Sequence, residues 1–138
     1  METTLAKQFI YNTLISDSQI NSYVSGRVYD QNVPEGTGMF PAIVYQLYSP
    51  GYDLVNASQG GYRVWSDMLY TVKVIDKNTS FATATLIADR VDQLLHRKFN
   101  DQYKVVECLR RWPYEYRESQ PEMEFVHIGG IYNIKIGS

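Results

Sequence analysis

The spacing of apolar residues changes several times along the chain, and each change predicts a new element of secondary structure. Over 4–15 apolar residues recur every three to five positions, which predicts an N-terminal helix. Asp17 is placed to cap a second, short helical turn, and Gly26 is placed to end it in a left-handed conformation. A short strand is then expected to begin at 27–29.

Two long strands are predicted next, on either side of a loop. Residues 42–49 form a β-branched and aromatic run with two largely apolar faces, which is typical of a central strand. Residues 63–75 alternate with period two, so Asp67 and Lys73 are expected on the more solvated face. Between these strands, the proline and glycines of PGYDLVNASQGGY predict a long loop over 50–62.

The period then becomes helical over 80–99, where an apolar stripe ends at Phe99. A helix of this length would extend about 30 Å, enough to cover a sheet face. Strands are predicted again at 105–112 and 123–136, with a hinge at Pro113 and an exposed acidic connection, YEYRESQPEME, between them.

The order of the elements predicts the fold class. Helix, short strand, two long strands, long helix and two strands indicate an α+β fold, in which a mainly antiparallel sheet packs against one long helix and an N-terminal helix. Gly129 and Gly130 interrupt the last strand and predict a bulge or a close backbone approach there. With 138 residues and no break in composition, we expect one domain over 1–138.

Composition and charge reduce the range of functions that the chain could have. The chain is 44% hydrophobic and 20% charged, which is typical of a soluble globular protein. Its net charge of −2 supplies no field for a phosphate backbone. No apolar stretch is long enough to predict export or membrane insertion. Twelve tyrosines indicate either extensive interfaces or aromatic strands in a small core.

The residues that could carry chemistry have no partners at useful spacing. His96 and His127 lie outside any metal-ligand motif, and Cys108, the single cysteine, is expected to be a small buried hydrophobe. Gly60-Gly61 and Gly129-Gly130 both lack the lysine that a phosphate-binding loop requires. We therefore expect no catalytic residue, no metal site and no cofactor. Arg110, Arg111 and Trp112 combine two cations with a stacking ring, and the net charge favours a protein interface over nucleic acid for them.

Several short segments follow one another in a specific order. A first helix leads into GRVYDQNVPEG, then FPAIVYQLYSP, a Gly-rich loop, VWSDMLYTVKVIDKNTSFATATLIADRVDQLL and finally HIGGIYNIKI. This order resembles that of the tail-completion, or tail-terminator, proteins of long-tailed bacteriophages, and the resemblance spans nearly the whole chain. The residues at corresponding places are Arg27, Tyr29, Pro41, Tyr45, Gln46, Val72, Val74, Ala88, Asp89 and Leu94.

The resemblance implies a structural virion protein and not an enzyme. It implies a homo-oligomer, a hexameric ring seated on the last ring of tail-tube protein, which stops polymerisation and presents a surface to the head-side connector or neck protein. DNA would pass through the lumen without specific binding. The implied location is the neck end of the phage tail, after assembly in the host cytoplasm and with no membrane involved.

Two sets of residues are assigned to this ring as hypotheses. The interface set is Tyr52, Asp53, Arg110, Arg111 and Trp112. The lumen set is acidic, because an acidic wall repels phosphate and lets DNA slide, and it consists of Asp67, Glu115, Glu118, Glu122 and Glu124.

Three other functions stay open. A head-side neck protein or a tail-tube subunit would share this size and composition. A small enzyme or ligand-binding domain would use the Gly-rich loop and His127. A nucleic-acid-binding module would use Arg110, Arg111 and Trp112, and its binding would depend steeply on salt.

Overall fold

The computed structural model describes residues 1–34, 39–56 and 62–137, with side chains for all of these except 50–52, 54–56, 62 and 63. Three helices and six strands lie in these ranges. They are α1 (Glu2–Ile15), α2 (Ser18–Val24), β1 (Val28–Asp30), β2 (Ala42–Asn56), β3 (Tyr62–Asp76), α3 (Ala82–Leu95), β4 (Lys98–Asn100), β5 (Val105–Gln120) and β6 (Met123–Gly137). None of these helices has the length and apolar character needed to cross a membrane.

The strands form one sheet in the order β1-β2-β3-β6-β5-β4. Only the short β1 runs parallel to its neighbour, β2, and every other described pair is antiparallel. Helix α3 packs mainly on β6 and β3, and α1 and α2 lie against it on the same face. The predicted class, an α+β fold with a mainly antiparallel sheet, is confirmed.

The core lies between the helices and alternate residues of the central strands. Because side chains alternate along a strand, every second residue of β3 and β6 points toward the helices. The core residues from these two strands are Met68, Tyr70, Val72, Val74, Val126, Tyr132, Ile134 and Ile136. The helices contribute Ala6, Phe9, Ile10, Leu14, Ile20, Val24, Ala84, Ile87, Val91 and Leu95. We call the opposite side of the sheet the helix-free face.

The tyrosines divide between the core and the surface, so the core interpretation is confirmed for some of them and the interface interpretation stays a prediction. Tyr70 and Tyr132 are buried, and their hydroxyls donate to the Thr3 carbonyl at 3.2 Å and to Asp92 at 2.8 Å. Burial raises the pKa of Tyr70 to about 12 and raises that of Tyr132 as well. Other tyrosines lie exposed on the helix-free face, and these leave aromatic area for contacts.

Asp17 performs its predicted capping role and also links two helices. Its carboxylate accepts a hydrogen bond from the Ile20 amide at 3.0 Å, at the start of α2, and forms an ion pair with Arg90 of α3 at 2.7 Å. The bonds with Arg90 lower the pKa of Asp17. The chain then turns through left-handed Ser25 and Gly26, as the glycine predicts.

The helix predicted over 80–99 is shorter than expected. Helix α3 has 14 residues and so spans about 21 Å. The backbone leaves the helix at His96 and turns through Arg97, whose φ is +63°. Pairing with β5 then replaces helical hydrogen bonds, since the Arg97 amide donates to the Cys108 carbonyl at 2.6 Å. Phe99 therefore lies on β4 with 71% of its surface exposed instead of in a buried stripe.

The predicted loop over 50–62 is wrong for the part that the structure describes. Strand β2 continues to Asn56, which pairs with Tyr62 of β3, and 57–61 lie outside the described residues. The register shifts between Ser49 and Tyr52, so Pro50 and Gly51 lie at an irregularity that the strand absorbs.

The predicted hinge at Pro113 is also wrong, because β5 runs through it. In the described part of the chain no strand pairs with β5 on its outer side beyond Cys108, and an edge position of this kind tolerates proline. The acidic segment is therefore the two-stranded end of the β5–β6 hairpin, whose turn lies at 121–122.

Gly129 and Gly130 mark a close backbone approach, as predicted. A Cβ atom on Gly129 would overlap the Val72 carbonyl oxygen and lie 2.6 Å from the Cα of Lys73. A Cβ on Gly130 would lie 2.6 Å from the Cδ of Arg110, which is part of a flexible side chain. The close pairing of β3 with β6 therefore requires glycine at position 129 for steric reasons.

We predict that Gly129→Ala lowers the free energy of unfolding by about 3 kcal/mol or more, since backbone must move to relieve the overlap. Urea unfolding of the purified variant measures this loss. Gly130→Ala is the matched control and should cost less, because the Arg110 side chain can shift. Equal losses in the two variants would contradict the steric argument.

Candidate functional site

The helix-free face is concave and carries large side chains that lean across the sheet. The ring of Tyr48 on β2 lies 6.4 Å from that of Trp112 on β5, edge to face, although β3 and β6 lie between their strands. Both rings keep about half of their surface exposed, 57% and 47%. The sheet therefore curls, and an aromatic bridge closes over its centre.

Apolar and polar residues beneath this bridge are buried although no described helix covers them. Val44, Thr71 and Ile131 are each at most 8% exposed. Asn133 donates a hydrogen bond to the carboxylate of Asp67, and its side-chain oxygen accepts one from Arg111 at 3.1 Å. Asp67 lies on the helix-free face, which the sequence predicts to be the more solvated side. It is only 7% exposed, so it presents almost no charge to solvent.

A groove of about 650 Å³ lies on the same face, toward the turn of the β5–β6 hairpin. Phe40 and Phe125 form one wall, with ring centroids 5.2 Å apart. Lys73 lies in the groove with its ammonium 5.3 Å from the Tyr114 ring, and within the described ranges it makes no ion pair. Burial lowers the pKa of Lys73, and nearby Glu118 opposes that effect.

His127 also borders the groove and is paired with a carboxylate. Its Nε2 lies 3.0 Å from Oε1 of Glu118, and its Nδ1 is buried with no partner in the described residues. Burial lowers the pKa of His127; the hydrogen bond to Glu118 opposes this, and Lys73 adds to it. A neutral His127 that donates through Nε2 leaves Nδ1 as an acceptor.

The groove contains groups that can move protons, but its described lining includes no serine, threonine or cysteine to act as a nucleophile. Cys108 lies on the helix-covered face, and burial raises the pKa of its thiol, so it stays protonated. His96 ends α3 and accepts a hydrogen bond from the Arg110 amide at 2.9 Å. The described ranges hold no group of three or more His, Cys, Asp or Glu side chains arranged for a metal ion.

The predicted interface residues lie at two separate edges of the sheet. Asp53 is exposed on β2, where it accepts a hydrogen bond from Ser66 at 2.6 Å, while the Tyr52 side chain lies outside the described residues. Arg110 and Trp112 lie on β5, beyond the β3–β6 pair, and Arg110 approaches Asp92 to 3.7 Å. The structure thus places Asp53 apart from Arg110 and Trp112, and the interface role of the set stays a prediction.

The predicted lumen residues do not share a face either. Glu118 points to the helix-free face, while Glu115 borders a pocket against α3, on the other side of the ribbon. Glu124 pairs with Arg117 at 3.2 Å, also on the helix side, and Glu122 lies in the hairpin turn. Because neighbouring residues of a strand point to opposite faces, a run of acids in sequence did not become one acidic wall.

Sequence reasoning missed the exposure of Phe99. Its spacing continued the apolar stripe of the preceding helix, and no local signal marked the end of that helix at residue 95. Arg97 did not predict the left-handed turn, because glycine and asparagine are the residues that commonly indicate one.

The fold of this chain has a match among solved structures. No protein-family model matches the chain, and no curated protein sequence matches it. Its fold is similar to that of a chain in the solved virion of a native gene transfer agent particle, with a TM-score of 0.66. The match covers 94% of this chain and 92% of that chain at 19% sequence identity, and at this identity it shows the fold alone.

We predict that stability falls on acidification below about pH 6.5, and that His127 is one cause. The folded protein keeps His127 neutral in a range where the unfolded chain binds a proton, because burial lowers the pKa of this residue. The unfolded state then binds more protons, so the free energy of unfolding decreases as the pH falls.

Urea unfolding at several pH values between about 7.5 and 5.5 tests this. The His127→Gln variant keeps a side chain able to bond Glu118 but cannot take up the proton, so its stability should depend less on pH. A pH dependence identical to that of the parent would contradict the assignment.

Proposed function

We propose that this chain is a structural virion protein of a long-tailed phage or phage-like particle, which forms a ring that closes the head-side end of the tail tube and joins it to the head-side connector. The single observation that carries the proposal is the likeness of the fold, over 94% of the chain, to a chain in a gene transfer agent virion. The sequence resemblance to tail-terminator proteins points independently to the same class of particle.

The surface supports an assembly role. Phe99, Val106, Tyr48 and Trp112 each expose about half of their surface or more, which is typical of side chains that become buried against other subunits. The two ends of the β5–β6 hairpin differ in structure and charge. Contacts between unlike surfaces of identical subunits close into rings when the rotation permits, so a ring is a natural assembly for this molecule.

The partners and location form part of the proposal. The ring would contain six copies, as in the proteins that the sequence resembles, with the tail-tube protein on one side and the connector or neck protein on the other. It would act at the neck end of the tail after assembly in the host cytoplasm, without a cofactor and without enzymatic activity.

The acidic lumen stays an untested prediction. In the single protomer Asp67 is buried, and Glu115, Glu118, Glu122 and Glu124 lie around the β5–β6 hairpin. Reversing these four charges and measuring DNA ejection tests the prediction. Unchanged ejection and infectivity would remove it without affecting the ring.

Two other functions have specific support. A head-side neck protein would have the same kind of exposed aromatic surface. A ligand-binding or enzymatic role is favoured by the groove that contains Lys73, His127 and Glu118.

We predict that deleting the gene yields overlong or headless tails, because nothing then stops tube polymerisation or presents a surface to the head. Electron microscopy of the lysate measures tail length and attachment. Full heads beside finished tails of normal length would instead support a head-side neck role.

We predict that particles carrying Cys108→Ala and His127→Gln together assemble normally. A general acid or base typically contributes about a hundredfold or more to a rate, so loss of His127 would abolish a function that needed its proton. Particle yield and infectivity are the readouts. Particles that assemble but have lost infectivity would favour the ligand-binding or enzymatic role.

A further inference from the structure

An exposed apolar and basic corner lies at one end of the sheet. It is formed by β4 and the start of β5, and we call it the β4 corner: Arg97, Lys98, Phe99, Lys104 and Val106. Phe99 and Val106 are 71% and 54% exposed, and all three cations are exposed around them. Within the described ranges none of these cations has an ion-pair partner within 4.0 Å. Exposed Asp101 borders the same surface, as does Glu107, which pairs with Lys135 at 3.8 Å.

The backbone at this corner is costly for the residues that it carries. Arg97 and Lys104 have φ values of +63° and +58°, in the left-handed region that glycine adopts without strain. Lysine on an edge strand protects against aggregation, which accounts for Lys98. That explanation does not extend to an exposed phenylalanine, so edge protection alone does not account for the corner.

An apolar and acidic surface lies at the other end of the same ribbon. We call it the hairpin end: Glu118, Gln120, Glu122, Met123 and Glu124. Met123 is partly exposed at its centre, and Glu122 lies in the turn without an ion pair to any described residue. Glu124 pairs with Arg117 at 3.2 Å and Glu118 bonds His127 at 3.0 Å, whereas Glu122 forms no ion pair with a described residue. Both surfaces thus have an apolar centre, and the unpaired charge of Glu122 is opposite in sign to the three unpaired cations of the β4 corner.

The two surfaces cannot meet within one molecule. Strand β5 has 16 residues, so about 50 Å separates its ends, with the β4 corner at the start and the hairpin end at the finish. Complementary surfaces at opposite ends of a rigid ribbon can bind each other only between copies.

We propose that the hairpin end of one protomer docks on the β4 corner of the next, with Met123 against Phe99 and Val106 and with Glu122 facing Lys98 and Lys104. The contact joins unlike surfaces and is therefore the kind that closes a ring. It rests on the proposed ring function and names the surface that builds the ring. Nucleic acid is a weaker occupant, because three cations on a chain of net charge −2 supply few phosphate contacts.

Charge exchange between the two surfaces tests the proposal. We expect Glu122→Lys, or Lys98→Glu with Lys104→Glu, to raise the concentration for half-maximal self-association about tenfold or more, since like charges then face each other. Combining all three substitutions should restore association to within about threefold of the parent. Light scattering after size exclusion gives the association, and negative-stain microscopy shows whether rings form.

The apolar contact has its own variant and controls. Phe99→Ser should weaken association without lowering the urea midpoint, because Phe99 is already exposed in the folded monomer. Leu86→Ser and Asp89→Lys make matched changes at exposed positions of α3 and should leave association unchanged. Lys104→Gly should weaken association while it maintains or raises the urea midpoint, a combination that a purely structural role does not produce.

If the parent stays monomeric in solution, the same variants are scored by complementation of the deletion, with finished tails counted by microscopy. Normal assembly of the charge and Phe99 variants, with loss of assembly in Trp112→Ala, would place the contact at the sheet edges and overturn this proposal while the ring stands. Duplex DNA binding that Lys98→Glu with Lys104→Glu abolishes, without any change in assembly, would also overturn it. Normal finished tails in the deletion strain would instead remove the ring function itself.

Discussion

The close contact between β3 and β6 is the constraint on which the rest of the structure depends. These strands form the middle of the sheet, and their alternate residues build the core against α1 and α3. Gly129 lets the two backbones approach where any side chain would overlap Val72. The pairing of β3 with β6 joins the two long hairpins, β2–β3 and β5–β6, into one sheet.

Curling the sheet produces a face that is packed without helices. Aromatic side chains from the outer strands meet above the centre, and small residues such as Thr71 are buried beneath them. The polar residues there are satisfied within the layer, as the bonds from Asn133 to Asp67 and from Arg111 to Asn133 illustrate. Burial at this face therefore removes from solvent polar side chains that the sequence alone assigns to a solvated surface or to a lumen.

Exposed apolar surface is therefore found at the ends of the long hairpins and at the open sheet edges. Trp112 lies at one edge, and the charged apolar surfaces lie at the two ends of β5 and β6, centred on Phe99 and Met123. In the proposed ring, surfaces at opposite ends of the subunit would let the same contact repeat from copy to copy. The groove with His127 and Lys73 shares Glu118, Gln120 and Met123 with one of these surfaces.

Local sequence determined the parts of this protein that depend on local interactions. Period-two and helical spacing predicted the class of fold, the cap at Asp17 and the close approach at Gly129, because side-chain alternation and backbone sterics act within a few residues. Only the tertiary structure decided where elements end and which residues share a surface. Pairing with β5 turned Phe99 from a helical core position into an exposed edge, and the same strand passed through Pro113 because its outer side needs no hydrogen bonds. Because the acidic run lies in a strand and not in a connection, side-chain alternation places its glutamates on opposite faces of the sheet.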